Sequence, residues 1–320
     1  MTVNQQNSTQ KWQQKLKGGV RCCFVGDVDG DGRNELVAGS EGKLLTVYSG
    51  EGKQKWQQKL KGGVRCCFVG DVDGDGKNEI VAGTRNGFLS VFSGEGKQKW
   101  RQKLKGSIDC CFVGDVDGDG KNEIVAGTRN EFLNVFSGEG KQRWQIRLEG
   151  SVLCCFVGDA NGDERNEIVA GDAGGILSVF SVTGKQWQKE LVEFVWCCFV
   201  GDVDGDGKNE VVAGSHDGTL IVFSGEGKQK WQQKLGGVVL CCFVGDVDGD
   251  GRNEIVAGSD EGTLSVFSGE GKQKWQQNLF KGSIDCCFVG DVDGDGRNEI
   301  VAGSWDGTLM VLASPIVWIR

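Results

Sequence analysis

The sequence predicts an all-β fold, a closed seven-bladed β-propeller with four antiparallel strands per blade, on three observations. A Cys-Cys pair recurs seven times, from Cys22-Cys23 to Cys286-Cys287, at intervals of 43 to 45 residues. Each repeat holds four short strand-like runs broken by glycine-rich turns, and the 320 residues include a single proline. The first and last inner runs are as apolar as the others, so the chain lacks the atypical capping units a solenoid needs.

The second repeat shows why each run is a strand. Val64 to Asp71 is apolar without alternation, as expected of a strand buried on both faces, and Glu79 to Gly83 repeats that character. Phe88 to Phe92 supplies a third strand, closed by the turn Ser93-Gly-Glu-Gly96. Gln98 to Leu104 is the fourth, with Trp100 and Leu104 facing the blade and Lys99, Arg101 and Lys103 facing outward, where their charge discourages edge pairing. The whole chain, 1–320, reads as one propeller. Residues 1–16 close the last blade, because Gln10 to Leu16 has the outer-strand pattern and no blade before it; Val317 to Arg320 is the alternative for that strand.

Charge is localised as well as negative. The 45 acidic and 36 basic residues give a net charge of -9, which argues against a nucleic-acid partner. No apolar run is long enough for an export signal or a membrane span. Most of the acids fall in one nine-residue stretch per repeat, which implies a local cation.

That stretch is Asp27-Val-Asp29-Gly-Asp31-Gly-Arg33-Asn-Glu35 in the first repeat. Carboxylates at positions one, three and five converge in a tight loop, and glycine at six eases the turn. The carbonyl of position seven and the acid of position nine complete a shell of oxygens suited to calcium. The same positions are Asp71, Asp73, Asp75, Lys77 and Glu79, then Asp115, Asp117, Asp119, Lys121 and Glu123. They continue as Asp202, Asp204, Asp206, Lys208 and Glu210, then Asp246, Asp248, Asp250, Arg252 and Glu254, then Asp291, Asp293, Asp295, Arg297 and Glu299. The fourth loop departs from them, with Asp159, Asn161, Asp163, Arg165 and Glu167, and with Glu164 at the glycine position. It is expected to be the weakest site. Calcium is expected to carry much of the stability, since its removal leaves clustered charge uncompensated.

Loops of this form resemble the FG-GAP (integrin-α-like, VCBS-type) propeller repeats, whose hallmark is Asp-x-Asp-x-Asp-Gly-x-x-Asp. The resemblance covers nearly the whole chain, and it implies a calcium loop between the two inner strands and a ring face used for partners. This sequence carries Glu where the family has its last Asp.

The cysteines read as small, reduced core residues, since strand neighbours point to opposite faces and cannot readily bond to each other. Buried thiols without an export signal indicate the cytoplasm, although calcium sites of moderate affinity fill best outside cells. The vicinal pair and the Gly-Lys-Gln-Lys-Trp turn are also similar to features of quinoprotein dehydrogenases, which makes a quinoprotein-like oxidoreductase the third functional reading. His216 is the sole histidine and lies in a turn, so proton-transfer catalysis lacks its usual residue and no enzyme is expected.

The leading expectation is a monomeric, non-enzymatic scaffold for a protein or glycan ligand. The alternative is a structural or engineered repeat propeller with no evolved ligand. The connections that vary between repeats lie on the face opposite the acidic loops, in the loops between second and third strands and the turns into each inner strand. Arg85, Arg129, Trp196, His216 and Trp305 are the candidate ligand-binding residues there.

Overall fold

The computed structural model describes residues 9–314, and these fold into seven four-stranded antiparallel sheets arranged as blades around one axis. In the first blade the strands are Val20–Gly26, Glu35–Ser40, Leu44–Ser49 and Gln54–Lys59, from axis to rim. Blades two to six repeat this order.

Burial follows the sequence pattern. The second strand is buried at every position in all seven blades, because neighbouring blades cover both of its faces. The outermost strand is mostly exposed in blades one to five and keeps its tryptophan half-covered, joined by Ile146 in the third. Each core forms between two blades: Val37, Leu45 and Val47 of the first pack with Val64, Cys67, Ile80 and Ala82 of the second.

The last blade is assembled from both parts of the chain. Its strands Ile284–Gly290, Glu299–Ser304 and Thr308–Leu312 are flanked by Gln10–Lys15, with Trp12 opposite Val311 and Gln14 opposite Leu309. Trp12 is half-buried, as Trp56 is, and its indole N–H donates to the Gly50 carbonyl of the first blade at 2.8 Å. Trp56 makes the same bond to Gly94. Gly52 stands at φ 80 above the Trp12 ring, where a Cβ would come within 2.8 Å of it. The segment Val317 to Arg320 lies outside the described residues.

All fourteen cysteines are free and buried. They meet across blades: burial and a hydrogen bond with Cys67 of the next blade push the Cys22 thiol well above its ordinary pKa, and Cys110 with Cys155 and Cys197 with Cys242 repeat the arrangement. One position further along each inner strand stands a phenylalanine. Phe24, Phe68, Phe112, Phe156, Phe199, Phe243 and Phe288 form a closed ring around the axis, with neighbouring centroids 4.2 to 4.8 Å apart. Such tilted aromatic contacts are worth about 0.5–1.5 kcal/mol each beyond the area they bury.

Candidate functional site: acidic cradles and the opposite mouth

The acidic loop is held by its own backbone before any cation is considered. Asp27 accepts the N–H groups of Gly30 and Gly32 through its two oxygens, at 2.7 and 3.0 Å, and Asp31 accepts that of Arg33 at 2.9 Å. Glu35 is buried and accepts the Val28 N–H through Oε2 at 2.9 Å. Each position-nine glutamate makes this bond in turn: Glu79, Glu123, Glu167, Glu210, Glu254 and Glu299. The position-seven residues Lys77, Lys121, Arg165, Lys208, Arg252 and Arg297 donate their backbone N–H to the acid at position five, as Arg33 does. At position six the usual glycine has φ between 80 and 83, and Glu164 of the fourth loop is forced into the same left-handed region at φ 67.

Position eight was not singled out from the sequence, and it ties the ring together. The Asn78 amide donates to the Asp27 carbonyl of the preceding blade at 2.7 Å, and Asn34 donates to Asp291, across the junction of the last and first blades. Asn122, Asn166, Asn209, Asn253 and Asn298 complete the circle. An asparagine beside glycine and aspartate reads as a turn residue, which hides this role.

The carboxylates do converge. Oxygens of Asp27, Asp29 and Glu35 lie within 4.8 Å of one another, as do those of Asp71, Asp73 and Glu79, and of Asp115, Asp117 and Glu123. Their point of convergence holds a side chain. Lys55 of the outer strand places its ammonium 2.5 Å from Asp29, 2.8 Å from Glu35 and 3.9 Å from Asp31. The outward-facing lysine expected at this position is thus turned inward. Pairing explains it: Trp56 lies opposite Val47 and Gln54 opposite Tyr48, so Lys55 is the extra residue of a β-bulge, which re-aims its side chain.

Four other blades repeat the contact. Lys99 reaches Asp73 and Glu79, Lys230 reaches Asp204 and Glu210, Lys274 reaches Asp248 and Glu254, and Lys11 reaches Asp293, Asp295 and Glu299, all between 2.5 and 3.3 Å. Burial alone would lower these ammonium groups. Their hydrogen bonds to the paired carboxylates outweigh it and hold Lys11, Lys55, Lys99 and Lys230 well above the usual lysine range.

Two blades differ. In the third, Arg143 replaces lysine and its fork turns to Asp117 at 3.0 Å and Asp119 at 3.5 Å; it stays 3.5 Å from the buried Glu123 Oε1, which is left with an ion pair and no hydrogen bond. Burial raises the Glu123 carboxyl to about 7, with Asp117 and Asp119 adding to the effect against the Val116 N–H and the Arg143 charge. In the fourth, the bulge residue is Gln186, which bonds its own turn at Ser181. There Asn161 donates its amide to Glu167 at 3.1 Å and to Asp163 at 3.4 Å.

The opposite face is built from side chains that differ between blades. The second residue of each inner strand rims a cavity of about 320 Å³ lined by Arg21, Arg65, Asp109, Leu153, Trp196, Leu240 and Asp285, with Arg129 beside them. These positions lie within the strands and not in the turns before them. One arc is ionic: Asp285, Arg21, Glu41, Arg65, Asp109 and Arg129 alternate in sign, each pair between 2.5 and 3.4 Å. The other arc carries Leu153, Trp196 and Leu240, followed by Asp260 and Ser283. Trp196 donates its indole N–H to His216 Nδ1 at 3.0 Å, Phe194 meets Trp196 edge-on at 6.3 Å, and Phe194 and Val192 are exposed.

Of the residues expected to bind a ligand, Arg129 and Trp196 line this mouth, and His216 lies beside it through its contact with Trp196. Trp305 is 55% exposed and carries the Arg21 guanidinium 4.7 Å above its ring. Arg85 is exposed in its loop and does not line the cavity.

Comparison with known proteins supports the fold. A profile of the lambda-carrageenase β-propeller domain matches residues 210–285 and 255–316, and one of the middle region of ciliary BBSome complex subunit 2 matches 22–136. No curated protein matches the sequence. BBS1N, crystallised in complex with ARL6DN and soaked with lead, superposes with a TM-score of 0.78 at 14% identity over 96% of each chain. The computationally designed Ika8 protein superposes at 0.64 and 15% identity, over 94% of this chain and 98% of its own.

Proposed function

We propose that this propeller is a non-enzymatic scaffold that engages a protein partner through the mouth opposite the acidic loops. The observation that carries the reading is one concave surface in which Leu153, Trp196 and Leu240 stand against an ionic arc, with Phe194 and His216 packed on Trp196 at its edge. Aromatic anchors beside fixed charges suit a protein interface, where tryptophan and arginine supply most of the binding energy. BBS1N, a propeller of the same fold crystallised with ARL6DN, supports the class of partner and not its identity.

The test is affinity capture on immobilised protein, compared with Trp196→Ala and Phe194→Ala, followed by calorimetry with the purified captured protein. Loss of at least ~30-fold in affinity for each variant is expected of anchor residues. Binding that neither variant weakens would refute the assignment, and displacement by simple sugars would assign the mouth to a glycan.

A second reading rests on the near-identity of the blades and the likeness to a designed propeller: a repeat ring with no evolved ligand. It predicts that no captured protein distinguishes wild type from the two variants.

A further inference from the structure

We infer that the seven acidic loops are closed by cations and amides of the chain itself, in place of the calcium their spacing suggests. The lysine ammonium lies 2.5 to 2.9 Å from the carboxylates at position three in blades one, two, five, six and seven. Calcium binds oxygen at about 2.3–2.6 Å, so an ion ligated by those same atoms would have to expel the ammonium. This position is built. In each of these blades the lysine is the extra residue of a bulge, a device that turns a side chain out of the regular alternation.

The departures from the repeat carry the argument furthest. In the fourth blade two residues differ together: Asn161 stands for an aspartate and Gln186 for the lysine. Among the converging side chains one negative and one positive charge disappear together and the balance is kept, while the acid that Glu164 adds at position six is exposed to solvent. The Asn161 amide then donates to Asp163 and Glu167, at the positions whose acids flank Lys55 in the first blade. In the third blade the substitute is another cation, Arg143. A loop evolved around a divalent ion has no use for a positive charge aimed at its centre. A loop neutralised internally requires one wherever all the acids are present.

The experiment uses the full chain stripped of metal. Wild-type protein is expected to melt at the same midpoint in chelator and in millimolar calcium, and to give no binding heat with calcium chloride. Asn161→Asp restores the missing acid without a lysine. It should lower the midpoint in chelator and be rescued either by calcium or, in chelator, by Gln186→Lys added in the same chain. Should N161D alone fail to fold in chelator, the double variant still reads the pairing, because its midpoint should return to that of wild type. Calcium that raises the wild-type midpoint by several degrees overturns the inference, as does N161D that calcium rescues and Q186K does not.

Discussion

The two faces of the ring are made by the same strands and obey opposite rules. On the acidic face each blade repeats one constellation, and even its two variants keep the loop's internal hydrogen bonds. On the other face the residue at one strand position is arginine, aspartate, leucine or tryptophan, according to the blade. Uniform chemistry satisfied from within is what a structural joint needs, whereas variation around a concave surface is what recognition needs. The difference places uniform, internally satisfied chemistry on one face and makes the other the place for the specificity we propose.

Breaking the acidic face should therefore cost stability, and the greatest loss is expected on removal of residues 1–16. The last blade would lose its outer strand, the Lys11 cation and the Trp12 bond to Gly50. Size-exclusion chromatography should then show aggregates or oligomers paired through the open edge; an unaltered monomer would mean the ring closes otherwise. Glu79→Ala should cost about 2 kcal/mol in chemical denaturation, because it leaves the buried Val72 N–H without an acceptor and takes one of two close carboxylates from Lys99, which keeps Asp73.

The third blade offers a smaller and pH-dependent effect. The folded-state pKa of Glu123, about 7, lies above the ordinary carboxylate value, so the folded protein binds this proton more tightly than the unfolded chain. Stability from this group is complete below about pH 4.5 and is lost as pH rises through 7. Arg143→Lys supplies the ammonium seen in five other blades and should reduce the change of melting midpoint across that window without abolishing it, because burial also raises Glu210, Glu254 and Glu299 beside their lysines. Asn78→Ala removes one link of the ring and should cost about 1 kcal/mol. Trp196→Ala, on the other face, should change stability by less than about 0.5 kcal/mol. A cost as large as that of Glu79→Ala would erase the distinction between the faces.

Much of this was legible in the sequence. The Cys-Cys period placed seven blades, and the short apolar runs placed the four strands of each within a residue or two of their observed limits. The acids were legible as a convergent group. The occupant of their centre was not, because strict alternation puts Lys55 outside, and a bulge that shifts the register leaves no mark in composition. The phenylalanine ring was hidden in a continuous apolar run. The ion pairs of the mouth join residues of different blades: Arg65 meets Asp109 only once neighbouring blades have packed, and Arg21 meets Asp285 only once the circle is closed.

That circle also sets a schedule for synthesis. Lys11 finds its partner Asp293 282 residues further along the chain, and Trp12 waits for Val311. Strand Gln10–Lys15 leaves the ribosome before the other described strands and is the last to be seated. At about 5–20 residues per second it spends tens of seconds beside growing blades that already have outer strands of their own. Its lysine and adjoining tryptophan recur in four of those six strands, so little marks it for the final blade except the edge left open there. Fidelity of closure then rests on the order in which the blades complete themselves, and a pause in translation before Thr308 would prolong the interval in which two nascent chains could exchange first strands.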